Sequence, residues 1–294
     1  MSIKLYLRGK LSKYFPMFYQ KYAFFRQVGY WPNIVKPNRI REILLKKKIL
    51  SNNKFKDYVD KYKVRKIINK IIQETNINLK MTTLIGVYSS VEEIDFSQIN
   101  KPCFIKANHG SDMNFFYEPG KHDITKLKQV LDNWLKIDFF NENGEMCYKG
   151  IQKKIIIEKP IFCKDGNLPD DIKVHCYFGE PSVIQIIRRR NGYLERKTFD
   201  STWSKQNWFK NDDLEVSLDS IPTNQVLEFS KLLSQIFDYV RMDYYLVDGT
   251  LYFGEYTFFP AATYLPLTSV DVDRYLGDLY TKIEHRILNK ANHV

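Results

Sequence analysis

Residues 241–258 read Arg-Met-Asp-Tyr-Tyr-Leu-Val-Asp-Gly-Thr-Leu-Tyr-Phe-Gly-Glu-Tyr-Thr-Phe, which leaves the backbone little choice but two strands around an Asp248-Gly249 turn signal. Side chains alternate across a strand, so the even positions Met242, Tyr244, Leu246, Tyr252, Tyr256 and Phe258 make one largely apolar face. The odd positions put Arg241, Asp243, Glu255 and Thr257 on the other face. Register decides what those polar groups can do together. A two-residue loop pairs Val247 with Thr250 and sends Asp243 and Glu255 to opposite faces. A three-residue loop over residues 247–249, with Gly249 left-handed in a bulge, gathers all four on one face, and that register is the one expected. Gathered so, the oxygens suit Mg²⁺ shared with nucleotide phosphates, and the arginine can take phosphate oxygens bidentately. A solvated Arg–Asp–Glu surface is the plain alternative.

The rest of the chain reads as α+β with mostly antiparallel strands, without the regular alternation of a doubly wound fold. After a proline-containing connector at 31–38, helical patterns cover 39–50 and 55–74, the latter with Val59, Tyr62, Ile67 and Ile71 at three-to-five-residue spacing. Strands are predicted at 83–88, 103–107, 114–117, 154–159, 172–178, 182–188 and 193–199. Helices are predicted at 124–134, from Pro222 to about 239, and from about 269 to 288. This divides the chain into a helical region, 1–80, and two lobes, 81–153 and 154–294.

A formal charge of +11 suits an anionic partner without choosing among nucleotide, nucleic acid, acidic polysaccharide and lipid headgroup. Cys103, Cys147, Cys163 and Cys176 show no C-x-x-C spacing, which argues for reduced thiols in the cytosol over zinc or disulfides. Lys4, Arg8, Lys10 and Lys13 interrupt any signal-peptide core, and no stretch reaches the length of a membrane span, so a cytoplasmic protein is expected. Residues 1–28 interleave basic and aromatic side chains and could lie on the inner face of an anionic membrane as an amphipathic helix. Pro16 breaks a long continuous face, which favours packing on the body instead.

Arg-x-Asp on one strand and Glu-x-Thr on the next resemble the metal-binding end of ATP-grasp enzymes. From Trp31 onward the chain resembles one branch of them, the teichuronopeptide-biosynthesis type, encoded with bacterial surface-polysaccharide genes and often labelled glycosyltransferases. The resemblance rests on Asp60-Lys61-Tyr62 through Arg65, Phe104-Ile105-Lys106-Ala107-Asn108-His109-Gly110-Ser111, Ile157-Glu158-Lys159, Asp171-Ile172-Lys173 through Gly179, Arg241-Met242-Asp243, and Phe253 to Phe258. It implies an ATP-grasp fold of two α+β lobes with ATP between them. Lys61 and Lys106 then correspond to the phosphate-contacting lysines, and His109-Gly110-Ser111 to a loop whose backbone N–H groups close over the phosphates. Glu158, Lys159 and Ile161 correspond to the adenine hinge, Lys173 to a further nucleotide contact, and Arg241 with Lys106 to the catalytic cations. Asp243, Glu255 and Thr257 correspond to the Mg²⁺ ligands. Three positions depart from the pattern: Asp112 in place of a loop glycine, Thr257 in place of asparagine, and Ala261-Ala262-Thr263 without the expected glycine.

The activity so implied is ATP-dependent joining of a carboxylate to an amine through an acyl phosphate, with an amino acid and a uronic-acid-bearing sugar as partners. Trp203, Trp208 and residues 188–190 could hold the sugar and its charge, or form a mobile basic loop. A nucleotide-sugar glycosyltransferase is the rival reading, with Asp271-Val272-Asp273 as its metal motif, although acids at a helix start also complement the dipole. Charge and aromatics alone support a nucleic-acid-binding module, and no recognised module carries it.

Overall fold

The computed structural model describes residues 16–190 and 192–291. The membrane-surface reading of residues 1–15 therefore lies outside the described residues. The remainder of that segment forms α1 (Pro16–Val28), which packs on the body through the fully buried Phe24 against Tyr30 and Tyr264. After α2 (Ile40–Leu50), the pattern expected as one helix over 55–74 breaks into α3 (Lys56–Val59) and α4 (Lys63–Thr75). Asp60 causes the break. Its buried carboxylate accepts from the Tyr62 and Lys63 amides at 2.9 and 3.2 Å and from Asn108 Nδ2 at 2.9 Å. A side-chain cap of this kind competes with a continuing helix and starts a new one.

Chain order then runs β1 (Lys80–Met81), β2 (Leu84–Tyr88), β3 (Cys103–Ala107), β4 (Asn114–Tyr117), α5 (Ile124–Lys136), α6 (Phe139–Asn143) and β5 (Ile155–Glu158). It continues through β6 (Asp170–Tyr177), β7 (Glu180–Arg190), β8 (Tyr193–Asp200), β9 (Lys205–Gln206), α7 (Thr223–Ser234), β10 (Tyr239–Val247), β11 (Thr250–Thr257) and α8 (Val270–Ala291). A four-stranded antiparallel sheet has the order β2-β5-β3-β4, so it draws on residues on both sides of position 153. The seven-stranded sheet has the order β1-β11-β10-β6-β7-β8-β9 and is antiparallel except where β1 pairs with β11.

One face of the large sheet buries Ile172, Val174, Ile184, Ile186, Met242 and Tyr244 under α7, which contributes Val226, Phe229 and Leu233. On the opposite face, α2 and α8 cover only one end, through Tyr177, Val183, Tyr239, Leu276 and Tyr280. The remainder of that face is free for polar side chains. Among the described residues no helix is long and apolar enough to cross a membrane.

The β10–β11 hairpin corrects the expected loop. Val247 pairs with Thr250, and the two turn residues Asp248 and Gly249 are both left-handed, at φ 46° and 78°. This is the two-residue loop that by itself would separate the carboxylates. The register shifts instead between Asp243 and Tyr244: Tyr244 pairs with Phe253, Asp243 with Glu255, and Gly254 is the extra residue of a bulge. The bulge also exchanges the faces of β11. Leu251 and Phe253 are buried before it and Tyr256 after it, while Tyr252, expected on the apolar face, stands opposite Tyr245 on the polar one. A Cβ on residue 254 would lie 2.9 Å from the Asp243 carbonyl oxygen, closer than the backbone tolerates.

The two glycines should therefore behave differently. Gly249→Val is expected to cost about 1–2 kcal/mol by forcing a β-branched residue into a left-handed turn. Gly254→Ala is expected to cost about 1–3 kcal/mol through overpacking, and it alone should also weaken Mg·ATP binding by disturbing the pairing of Asp243 with Glu255. Urea unfolding beside nucleotide titration checks this, and equal nucleotide affinity in the two variants would show that the bulge does not set the site.

Candidate active site

Three neighbouring strands bring the site's core together. Asp243 on β10 pairs with Glu255 on β11 and with Lys173 on β6, and one step along, Arg241 pairs with Thr257 and His175. Paired residues in an antiparallel sheet project to one face, with Cβ atoms about 5 Å apart. Arg241 grips Asp243 by two bonds, Nε to Oδ1 and Nη2 to Oδ2, each 2.6 Å, and Lys173 Nζ donates to Oδ2 at 2.6 Å. Arg241 Nη2 also donates to Thr257 Oγ1 at 3.1 Å. Burial pushes the Asp243 carboxyl up, but Arg241 and Lys173 outweigh it and hold it down at about 2. For Glu255, burial is likewise overcome, chiefly by Lys61, and its carboxyl stays below the ordinary glutamate range.

The small sheet and α4 supply the facing cations. Lys61 sits at the helix break, where its own amide bonds the Asn108 carbonyl at 3.0 Å, and its ammonium reaches Gly110 O at 2.6 Å and Glu255 Oε2 at 3.1 Å. Lys106 on β3 donates to Glu158 Oε2 at 2.7 Å, and Arg65 on α4 donates to Glu158 Oε1 at 2.7 Å. Burial works against the charge on Lys106, but Tyr245 and Glu158 outweigh it and leave the ammonium more basic than an ordinary lysine. The buried Glu158 carboxyl is lowered in turn, burial being overcome by Lys106 and Arg65. Lys61, Arg65, Lys106, Glu158, Tyr245 and Glu255 line a pocket of about 30 Å³ between the two sheets. It adjoins an open cleft of about 590 Å³ bounded by Thr82, Lys159, Ile161 and Tyr252. Five cations thus face three carboxylates, an excess of positive charge that suits a polyphosphate.

The other expected residues fall as follows. His109 turns inward, with Nε2 3.0 Å from the Trp134 carbonyl and Nδ1 3.2 Å from Asn108 Oδ1, so its ring is not aimed at a ligand. Ser111 is exposed, and Gly110 contributes the carbonyl that orients Lys61. Both Glu158 oxygens are taken by Arg65 and Lys106, and the Lys159 amide is taken by the Thr83 carbonyl at 2.9 Å, so neither of these groups is open to a ligand, while Ile161 borders the cleft. Trp208 is buried against Tyr275, and residues 188–190 lie on β7, where Arg188 and Arg190 bond Asp170, so no mobile basic loop forms there. Asp273 is fully buried and accepts from the Arg41 amide at 3.0 Å and Tyr30 at 3.3 Å. It is a structural anchor. Arg65 and Tyr245 received no role from the sequence; alternation from Asp243 places Tyr245 on the site face, whereas Arg65 needed the packing of α4 on β5.

Among the described residues no group of three or more His, Cys, Asp and Glu side chains could hold a metal unaided. Asp243 and Glu255 are two hard carboxylates at directly paired positions, with Thr257 Oγ1 3.4 Å from Glu255 Oε1. They fit a Mg²⁺ that completes its shell with phosphate oxygens and water.

Two α+β units, with this carboxylate pair on one sheet and the lysine strand on the other, define an ATP-grasp protein. A family profile, TupA-like ATPgrasp, matches residues 40–281, and the chain belongs to that family. Among curated proteins none matches. Similar solved structures include D-alanine–D-alanine ligase from Bacillus anthracis complexed with ATP, at 17% identity over 70% of this chain and 56% of that one, with a TM-score of 0.40. A second structure of the B. anthracis ligase matches at 17% identity over 82% and 72%, with a TM-score of 0.48. The ATP-grasp ligase PsnB complexed with minimal precursor matches at 12% identity over 74% and 59%, with a TM-score of 0.38. The chain thus spans less than two thirds of the length of the first of these structures and of PsnB.

Because Asp243 neutralises two buried cations, Asp243→Asn should destabilise the protein by about 3 kcal/mol at pH 7, and not leave the fold untouched. The sign with pH follows from the depressed carboxyl. Its stabilisation is full above the unfolded value of about 3.9 and is lost as pH falls through about 2. Urea midpoints of the two proteins should therefore converge between pH 4 and pH 2, and equal midpoints at pH 7 would contradict the buried pairing.

Proposed function

We propose that the protein is an ATP-dependent carboxylate–amine ligase that forms an acyl phosphate, releases ADP and makes an amide. The observation that carries this reading is the bulge-set pair Asp243 and Glu255, flanked by Arg241 and Lys173 and faced by Lys61 and Lys106. ATP lies between the sheets, its base in the cleft beside Lys159, Ile161 and Tyr252. Asp243 and Glu255, with Thr257, would hold Mg²⁺, which when bound neutralises phosphate charge and aligns the terminal phosphoryl group.

The chain's own residues do the rest. Lys106, kept charged by Glu158, and Lys61, aimed by the Gly110 carbonyl, offset charge on the transferring phosphoryl group. Arg241 is locked in plane by Asp243 and Thr257, and its guanidinium presents a fixed fork to an incoming carboxylate or to the phosphoryl oxygens. The substrate carboxylate oxygen attacks the γ-phosphorus, the bond to ADP breaks, and an acyl phosphate forms. An amine then adds to the acyl carbon, inorganic phosphate departs, and the amine's proton is lost to solvent. By analogy with the family that the sequence resembles, the joined pair is an amino acid and a uronic-acid-bearing sugar, in surface-polysaccharide synthesis in the bacterial cytoplasm. The glycosyltransferase alternative loses its metal motif, because Asp273 is occupied in the core.

Incubation with Mg·ATP, amino acids and glucuronic acid should release ADP and phosphate in step with amide formation. Production of AMP and pyrophosphate, or turnover of a sugar nucleotide without ATP, would overturn this reading.

A further inference from the structure

α1 turns the larger part of its apolar surface outward. A helix lying on a protein body ordinarily aims its apolar stripe inward. α1 buries Phe24 and Gln20, the latter over Gly144, and leaves Met17, Phe18, Tyr22 and Phe25 exposed. Phe18, Tyr22 and Phe25 fall at helical spacing on one face. Trp31, just beyond the helix, folds onto them, its ring centroid 5.9 Å from Phe18 and 6.1 Å from Phe25, and Phe18 lies nearly parallel to Tyr22 at 6.5 Å. The four rings are 42–52% exposed. At about 150–250 Å² per aromatic side chain they offer roughly 400 Å² of continuous apolar surface, as much as the largest patch of a typical monomer, and such patches mark interaction sites.

Charge says what covers the patch. The first 41 residues carry nine Lys and Arg and no Asp or Glu, so most of the net charge of +11 is concentrated in that stretch. On α1 the cations border the rings. At about 100° per residue, Lys21 and Arg26 fall at the two edges of the arc that holds Phe25, Phe18 and Tyr22. Lys21 Nζ stands 5.4 Å from the Trp31 centroid, and Arg26 is exposed. A second copy of the chain would set like charge against like on this face, and residues 1–15, with Lys4, Arg8, Lys10 and Lys13, would do the same if laid across it. A nucleic acid would meet the charge, but Met17, Phe18 and Phe25 offer it no hydrogen-bonding group, and Lys21 already covers the Trp31 ring on which a base would stack.

An anionic lipid surface meets both features. Phenyl rings sink to the boundary of headgroups and acyl chains, Trp and Tyr keep their polar tips at headgroup level, and lysine and arginine face the lipid phosphates. We propose that this face of α1 docks the protein on an anionic membrane surface, with Phe18, Tyr22, Phe25 and Trp31 inserted and Lys21 and Arg26 against the headgroups. One helix thus packs on the body by one face and meets the membrane by the other. Its inward Phe24 rests on Tyr264, in the segment that follows β11. The docked helix would hold the end of the hairpin that carries Glu255 and Thr257 close to the bilayer.

Flotation of the full chain with vesicles of phosphatidylcholine alone, and of an equal mixture with phosphatidylglycerol, tests this. Binding should need phosphatidylglycerol and fall as salt is raised. Phe18→Ser with Phe25→Ser should weaken it about 10-fold or more, and Lys21→Glu with Arg26→Glu about 30-fold. Both variants should keep the Mg·AMPPNP affinity of the unaltered protein. Brominated lipid gives a second readout that does not depend on how those variants fold: it should quench the tryptophan fluorescence of the bound protein, and much less so in Trp31→Phe. No binding to the mixed vesicles, undiminished binding by the double serine variant (residues 1–15 alone then carrying the attraction), or unchanged quenching in Trp31→Phe would overturn the proposal. So would tighter binding to a single-stranded oligonucleotide than to the mixed vesicles at the same salt, or self-association through these rings without vesicle binding.

Discussion

Gly254 stands against the Asp243 carbonyl with no room for a side chain, and the polar face of the large sheet depends on that contact. The tight turn at Asp248-Gly249 would pair Asp243 with Gly254 and point Glu255 away. The extra residue restores the pairing of Asp243 with Glu255, and with it that of Arg241 with Thr257, without altering the turn. One glycine thus reconciles two demands: a turn whose twist matches the strands, and a carboxylate pair on one face.

Charge organises what the bulge brings together. Two of the three site carboxylates are shared among cations from different elements: Asp243 between Arg241 and Lys173, Glu158 between Lys106 and Arg65. A half-buried ammonium left alone would tend to lose its charge and a guanidinium, which stays charged, to leave the cleft, and these carboxylates prevent both. The Lys61 contact with Glu255 crosses from the helical segment to the hairpin, while the Gly110 carbonyl ties the same ammonium to the loop after β3. Nucleotide phosphates would meet cations already aimed, with little rearrangement left to make.

Several readings changed because packing and capping act where periodicity is silent. The pattern at 55–74 looked like one helix, since apolar spacing does not register an aspartate that caps the turn just after it and also holds Asn108. That break turns Lys61 from a helix-surface lysine into a site residue. His109 looked like part of a phosphate loop, yet the Trp134 carbonyl from α5, 25 residues on, draws it inward. For residues 188–190 the sequence left a sugar contact and a mobile basic loop both open, because their partners, Asp170 and Asp171, belong to the adjacent strand.

The sequence by itself determined the α+β class, most of the strands, the alternation that sorts Arg241, Asp243, Glu255 and Thr257 from the core, and the lysine ending β3. These follow from local periodicity and from short motifs, which the chain carries wherever it folds. The tertiary structure alone decided the position of the bulge, the face of Tyr252, and the clamp of Arg65 and Lys106 on Glu158. Each of these depends on which strand lies beside which and in what register. A one-residue offset reverses every side chain of a strand, and the close contact that sets this offset, between Gly254 and the Asp243 carbonyl, joins residues 11 positions apart, beyond the reach of a local pattern.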